Sequence, residues 1–213
     1  MIFADRVEAG ERLAKALVHH VGTGCVVFAI PRGGVIVGEV VARALGAPLD
    51  VVVPRKIGAP GNPELGIGAV APGVRVLDAR VVAQLGVSER YLEREIAAQE
   101  AEIERRQHAY RDGRAPASVQ GRVAIVVDDG VATGGTAIAA LRWARAQGAA
   151  RVVLAVPVAP ARSLERFEHE ADEVVVLETP DPFFAVGEWY RDFSQTTDDE
   201  VVAALARSAE FGA

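Results

Sequence analysis

Short apolar runs alternate with helical periodicities along most of this chain. Residues 25–30, 49–53, 123–127, 151–156 and 173–177 are rich in Val and Ile and too short to stand alone as helices. All read as strands, the run at 123–127 as one buried on both faces. Between them the apolar positions recur at helical spacing. Val7, Leu13, Leu17 and Val18 follow Asp5-Arg-Val-Glu8, which has the form of a capping box. Residues 35–45 form a second helix closed by Gly46, and Ile138, Leu141 and Ala144 mark another, as does the stretch 161–170. Strand, glycine turn, helix and strand in succession imply parallel pairing with a right-handed crossover. The pattern predicts a doubly wound α/β fold with a mainly parallel sheet of about five strands. We read residues 1–213 as one domain with its core at about 25–178.

Two stretches depart from this rhythm. Residues 55–66 read Arg-Lys-Ile-Gly-Ala-Pro-Gly-Asn-Pro-Glu-Leu-Gly, and so much Gly and Pro predicts an irregular loop. Residues 67–71 and 74–77, divided by Pro72-Gly73, predict a hairpin beside it. Residues 88–111 predict a long helix with Leu92, Ile96, Ile103 and Tyr110 on one stripe. Its well-mixed charges favour a solvated helix with a narrow buried seam; the sharper alternative is a seam that packs on a second subunit, giving a homodimer. A polar linker follows at 113–121. After Thr179-Pro180-Asp181-Pro182 the aromatics crowd together: Phe183, Phe184, Trp189, Tyr190 and Phe193. Residues 179–213 are therefore expected to form a small appendage ending in a helix from about Asp198.

Composition narrows the function. The net charge is −6, from 23 basic and 29 acidic residues, which excludes a general nucleic-acid binder. No apolar stretch is long enough to span a membrane, and the N-terminus lacks the pattern of a signal peptide; a cytoplasmic protein is expected. The single cysteine, Cys25, lies in an apolar run and reads as a buried structural thiol. His19, His20, His108 and His169 stand at no metal-ligand spacing with a cysteine or acid, so no zinc site is expected. Lysines are scarce, Lys15 and Lys56 only, which draws attention to Lys56 in the glycine-rich stretch.

The chemistry concentrates after the run at 123–127: Asp128-Asp129-Gly130-Val131-Ala132-Thr133-Gly134-Gly135-Thr136. No lysine follows the glycines, so this is not a P-loop, and the glycine spacing does not fit a dinucleotide fingerprint. A nucleophile elbow would need a central serine. What remains is a turn of exposed backbone N–H groups at a helix start, suited to one phosphate monoester. Asp128 and Asp129 just before it can accept hydrogen bonds from vicinal hydroxyls or hold a hydrated Mg2+ ion. Diol acceptors beside a phosphate cup describe a ribose 5-phosphate site.

On these residues the chain resembles the type I phosphoribosyltransferases, whose signature is a hydrophobic strand, two acids and a loop ending Thr-Gly-Gly-Thr. The resemblance implies that Asp128 and Asp129 contact the ribose hydroxyls of phosphoribosyl pyrophosphate and that Ala132, Thr133, Gly134, Gly135 and Thr136 hold the 5-phosphate. It places Arg32-Gly33-Gly34 at the pyrophosphate loop and residues 55–66 at the mobile loop, with Arg55 and Lys56 as its basic pair. The implied activity is Mg2+-dependent transfer of phosphoribosyl to a nucleobase-like acceptor, with Lys56, Arg55, Asp128 and Asp129 catalytic and the acids holding the metal, through water or directly. Ala132 stands where hypoxanthine–guanine relatives carry an acid, which disfavours a 6-oxopurine and leaves the acceptor unnamed. The resemblance also implies a hood that sets the acceptor, assigned to residues 179–213 with the N-terminal helix at 5–19, where Phe183, Phe184, Trp189 or Tyr190 either stack on a flat base or form the hood's own core. The alternative of another class is a non-catalytic regulator of the same fold that binds the sugar diphosphate or a nucleotide.

Overall fold

A computed structural model describes residues 2–209 of the chain. In chain order the elements are α1 (Arg6–Ala16), β1 (Val26–Ala29), α2 (Gly33–Leu45), β2 (Leu49–Val51), β3 (Arg55–Ala59), β4 (Asn62–Ala71), β5 (Val74–Leu77), α3 (Ala79–Gln84), α4 (Glu89–Arg111), β6 (Val123–Val127), α5 (Gly135–Ala146), β7 (Arg151–Val158), α6 (Leu164–Glu168), β8 (Glu173–Glu178) and α7 (Asp198–Ser208). Strands β2–β1–β6–β7–β8 form one five-stranded sheet, parallel throughout. Successive side chains of a strand point to opposite faces, and here the two faces feed two separate cores. Val27, Ala29, Ile125 and Val127 pack with Leu13 of α1, with Leu17 at its C-terminal end and with Val37 and Val41 of α2. Val26, Phe28, Val126 and Leu154 pack with Ile138, Leu141 and Trp143 of α5, Phe28 meeting Trp143 edge-on at 4.9 Å. Each fully buried Leu or Phe side chain contributes roughly 1.5–3 kcal/mol by leaving water. The doubly wound α/β expectation is met.

The expected loop at 55–66 is instead regular. Strands β3 and β4 pair antiparallel and continue into the hairpin with β5, a three-stranded sheet of its own. The physical reason lies in the same residues that suggested disorder. Pro60-Gly61 makes a tight turn with Gly61 at φ 72°, as Pro72-Gly73 does with Gly73 at φ 72°. The ladder jumps register around Gly58, which faces Gly66, and a Cβ on Gly58 would lie 2.7 Å from the backbone of Pro63. Pro63 is tolerated because β5 pairs only with Gly68–Ala71, leaving that part of β4 unpaired on one side. Asp78 then caps α3, accepting from the amides of Arg80 and Val81, a short helix that the periodicity did not predict.

The long helix is α4, capped by Ser88. Its stripe of Ile96, Ile103 and Tyr110 is buried within the same chain, in the core shared with α7 and β3, so this seam offers no face to a second subunit. Arg111 at its end binds buried Asp50 at 3.0 Å. Thr197 caps α7 in a capping box with Glu200. The aromatics divide: Phe183 and Tyr190 are buried with Phe3 and Ala9, whereas Phe184 is 76% exposed. Phe3 bridges to Tyr190, tying the start of the chain to residues 189–192. No helix among the described residues is long and apolar enough to cross a membrane.

Candidate functional site

From β1 the chain moves to β2 on one side, and from β6 to β7 and β8 on the other. The sheet therefore has its switch point between β1 and β6, and in open α/β sheets ligands bind outside the carboxyl ends of the strands at such a point. Asp128 and Asp129 stand at the carboxyl end of β6, and Arg32-Gly33-Gly34 opens α2 just beyond β1. The peptide between Pro31 and Arg32 is cis.

The two turns touch. A Cβ on Gly33 would lie 1.9 Å from Asp129 Oδ2, and one on Gly34 would lie 2.9 Å from both Cα and Oδ1 of Asp128. Glycine at both positions is thus required by the close approach of the acid pair. Asp128 Oδ1 accepts from the amide of Asp129 at 2.8 Å. Burial pushes the Asp128 carboxyl well above the usual range, and the neighbouring Asp129 pushes it further. Asp129 is also raised by burial, against the opposing hydrogen bond and charge of Arg6.

Arg6 is a residue that sequence reasoning missed. Its Nε donates to Asp129 Oδ2 at 2.8 Å, its Nη1 donates to the carbonyl of Ser194 at 2.8 Å, and its guanidinium lies 4.0 Å from the centre of the Phe193 ring. The Tyr190 hydroxyl donates to the backbone carbonyl of Asp129. The signal in the sequence was slight: Arg6 lies inside Asp5-Arg-Val-Glu8, a cap whose Asp5 does accept from the amides of Val7 and Glu8. The packing of α1 on α2 and the bridge from Phe3 to Tyr190 bring this helix start over the acids.

Beyond the acids, Gly130 and Gly134 hold φ of 157° and 82°. A Cβ on Gly130 would strike Val186 at 2.5 Å, and one on Gly134 would strike Phe167 at 2.7 Å. The loop is pressed between these side chains and delivers Gly135 and Thr136 as the first residues of α5. The first N–H groups of a helix have no intrahelical partner and carry the positive end of its dipole. They face a cleft of about 910 Å³ between this loop and the β3–β5 sheet.

The structure brings Lys56, Ala132, Thr133, Gly134, Gly135 and Thr136 together around that cleft, with Arg80, Arg142 and Arg166, which no sequence pattern singled out. Lys56 Nζ is held 3.2 Å from the exposed carboxylate of Glu64. Arg55, its neighbour, turns the other way and donates to Gln99 of α4 at 2.9 Å. Arg32 is 3.9 Å from Asp198, whose other partner is the Tyr110 hydroxyl at 2.8 Å. Asp128 and Asp129 lie just behind the loop rather than on the cleft wall, Asp129 beneath Arg6. Two adjacent carboxylates and few other donors suit a hard cation such as Mg2+, which binds through one or two carboxylates and completes its shell with water and phosphate oxygens. Chemically the arrangement offers anion binding by backbone amides and cationic side chains, with acids next to it.

A family model described as "Phosphoribosyl transferase domain" matches residues 3–192. Two curated proteins of Mycobacterium tuberculosis, from strains CDC 1551 and H37Rv and each described as a "Putative phosphoribosyl transferase", are 49% identical to this chain over 217 residues. The matches cover 100% of this chain and 49% of each relative, so the chain spans about half their length. The crystal structure of TT1426 from Thermus thermophilus superposes with a TM-score of 0.83 at 45% identity, covering 100% of both chains. A hypothetical protein from Neisseria gonorrhoeae with bound ppGpp shares the fold alone, with a TM-score of 0.50 at 12% identity over 100% of this chain and 93% of that one.

Proposed function

The chain belongs to the phosphoribosyl transferase family, and on that footing we propose that it transfers the 5-phosphoribosyl group of phosphoribosyl pyrophosphate to a nitrogenous base, releasing pyrophosphate. The observation that supports this reading is the convergence at the β1/β6 switch point. Acid pair, Gly33-Gly34 turn and α5 start adjoin one another there, with Lys56 facing the phosphate cup across the cleft.

In this reading Thr133 to Thr136 bind the 5-phosphate through backbone amides and hydroxyls. Asp128 and Asp129 accept hydrogen bonds from the ribose hydroxyls, Asp129 through Oδ1 beside the Arg6 contact at Oδ2 or through both oxygens once Arg6 releases it. Mg2+, held by Asp128 and Asp129 directly or through water, would neutralise charge on the diphosphate. Displacement at the sugar's anomeric carbon builds positive charge on the ring and negative charge on the leaving group. Lys56 and Arg32, and Arg55 once it leaves Gln99, place positive charge on the departing side, a gain largest in the transition state. The exposed tip at residues 60–66 is the part of the β3–β4 hairpin free to swing over the reactants and exclude water. The C-terminal segment and the N-terminal turn would set the acceptor. Phe183 and Tyr190 are committed to packing, so a stacking role falls to other rings.

One observation favours the second reading, a regulator that binds the sugar diphosphate or a nucleotide without turnover. Arg6 already neutralises an acid that the enzyme needs for its substrate. A pyrophosphate-release assay with phosphoribosyl pyrophosphate, Mg2+ and a panel of purines, pyrimidines and pyridine carboxylates separates the two. Release with at least one acceptor supports the enzyme. Tight binding without release for any of them supports the regulator, and no binding at all sinks both.

A further inference from the structure

At the opposite edge of the sheet, where the parallel strands begin, three potential metal ligands meet. His19 and His20 form the short 3-10 turn (Val18–His20) after α1, and Glu173 opens β8, the edge strand. His19 Nε2 is 2.7 Å from Glu173 Oε1, and the two imidazole rings are 4.3 Å apart at their centres. His20 Nε2 is 3.3 Å from Glu173 Oε2, yet at an angle that makes no hydrogen bond. That nitrogen is buried on a side chain only 6% exposed, and its ion-pair contact with Glu173 leaves it without a hydrogen bond. A buried polar atom with no hydrogen-bond partner is uncommon in folded proteins and calls for an explanation. One donor atom from each residue falls within a sphere where all lie within 4.8 Å of one another.

We propose that His19, His20 and Glu173 bind one Zn2+ ion, with water as the fourth ligand. Zn2+ takes imidazole nitrogens and carboxylate oxygens at about 2.0–2.2 Å, so donors around a tetrahedral ion stand roughly 3.3–3.6 Å apart. The observed spacings need shifts of about an ångström, within reach of His19, whose side chain is 52% exposed. Arg151 Nη2 lies 3.1 Å from Glu173 Oε2 and is half exposed. It can yield that oxygen and stay as an outer partner that orients the carboxylate. The ion would staple the end of α1 to the edge strand on the far side of the sheet from the cleft. Local spacing holds no hint of it, because Glu173 is 154 residues from His19.

The test uses the full chain stripped with EDTA and titrated with Zn2+, and with Co2+ as a spectroscopic probe. The expected result is one Zn2+ ion per chain at the histidine site, tetrahedral Co2+ absorption bands, a melting temperature raised by Zn2+, and Zn2+-induced shifts of the His19 and His20 ring resonances that Mg2+ does not produce. His19→Ala and Glu173→Gln should weaken Zn2+ binding by more than the roughly 10–100-fold typical of outer-shell changes. Asp128→Asn combined with Asp129→Asn should leave it unchanged. Zn2+ affinity that survives in H19A and E173Q, or that vanishes in the Asp128/Asp129 variant, overturns the proposal. Should either variant fail to fold, the wild-type Co2+ bands and histidine resonances decide, and their absence overturns it too.

Discussion

Arg6 Nε lies 2.8 Å from Asp129 Oδ2, joining the first turn of α1 to the end of β6 across 123 residues. Both side chains are nearly buried, at 11% and 14% exposure. Removing one member of such a pair leaves the other charge without compensation, typically a loss of roughly 3–5 kcal/mol. Arg6→Gln should therefore destabilise the protein, and the loss should depend on pH. Arg6 holds the Asp129 carboxyl down against a burial that raises it. Without Arg6 the folded-state value climbs further above the unfolded one, so stability falls as pH rises between those two values and recovers in acid. Urea unfolding at pH 8 and pH 5 checks this: the loss should be larger at pH 8, and equal losses would remove the electrostatic account.

Asp128 supports a prediction of opposite sign. Its carboxyl is raised by burial and by Asp129, so its charged form destabilises the free protein above the ordinary carboxylate range. Asp128→Asn keeps an oxygen for the Asp129 amide while removing that charge. The variant should be more stable than wild type at pH 7 by chemical denaturation, the gap closing as pH falls toward the unfolded-state value. It should also lose sugar-diphosphate binding, by roughly 1.5–3 kcal/mol for each charge-assisted hydrogen bond lost. A stabilised variant that still binds normally would show that Asp128 does not face the ribose.

Much of this was legible in the chain, and the failures have physical causes. The strands and the helices between them were readable because the inner strands bury two faces and the helices one stripe, whereas the edge strand β8 is half-buried and was read from its Val-rich run alone. The acid pair and the glycine–threonine loop after it could be read as one candidate site because they are contiguous, residues 128–136. The hairpin at 55–66 was misread because Gly and Pro mark both disorder and tight turns, and only the pairing partner tells which. Arg6 and the group formed by His19, His20 and Glu173 are assembled by tertiary contact between distant segments. No local pattern announces them.

The Gly33–Asp129 approach can be tested with the smallest possible side chain. A methyl group on Gly33 would stand 1.9 Å from Asp129 Oδ2 and 2.6 Å from Arg6 Nε. Forcing such atoms apart typically costs about 1–3 kcal/mol. Gly33→Ala should therefore fold with a loss of that size and displace the carboxylate from its place. Calorimetry with phosphoribosyl pyrophosphate should show weakened binding, whereas Gly46→Ala, at a helix end with open space around it, should leave binding unchanged. Equal effects on binding from both would mean the acid pair is not what Gly33 makes room for.

Lys56 separates binding from catalysis. Its Nζ pairs with Glu64 at 3.2 Å, but the side chains are 42% and 93% exposed. An ion pair that open contributes at most about 1 kcal/mol, so Lys56→Ala should fold almost normally. Lys56 also lines the cleft opposite the Thr133–Thr136 loop, where charge would develop on a departing pyrophosphate. A group that acts on developing charge lowers turnover when removed, by roughly 10²–10³-fold in comparable sites. Ground-state binding of the sugar diphosphate should fall much less, because the phosphate loop and acid pair remain. Steady-state kinetics with the acceptor found in the release assay, set beside calorimetric binding of phosphoribosyl pyrophosphate, measures the two effects separately. Losses of equal size would reduce Lys56 to an ordinary anion-binding side chain and remove it from the chemistry.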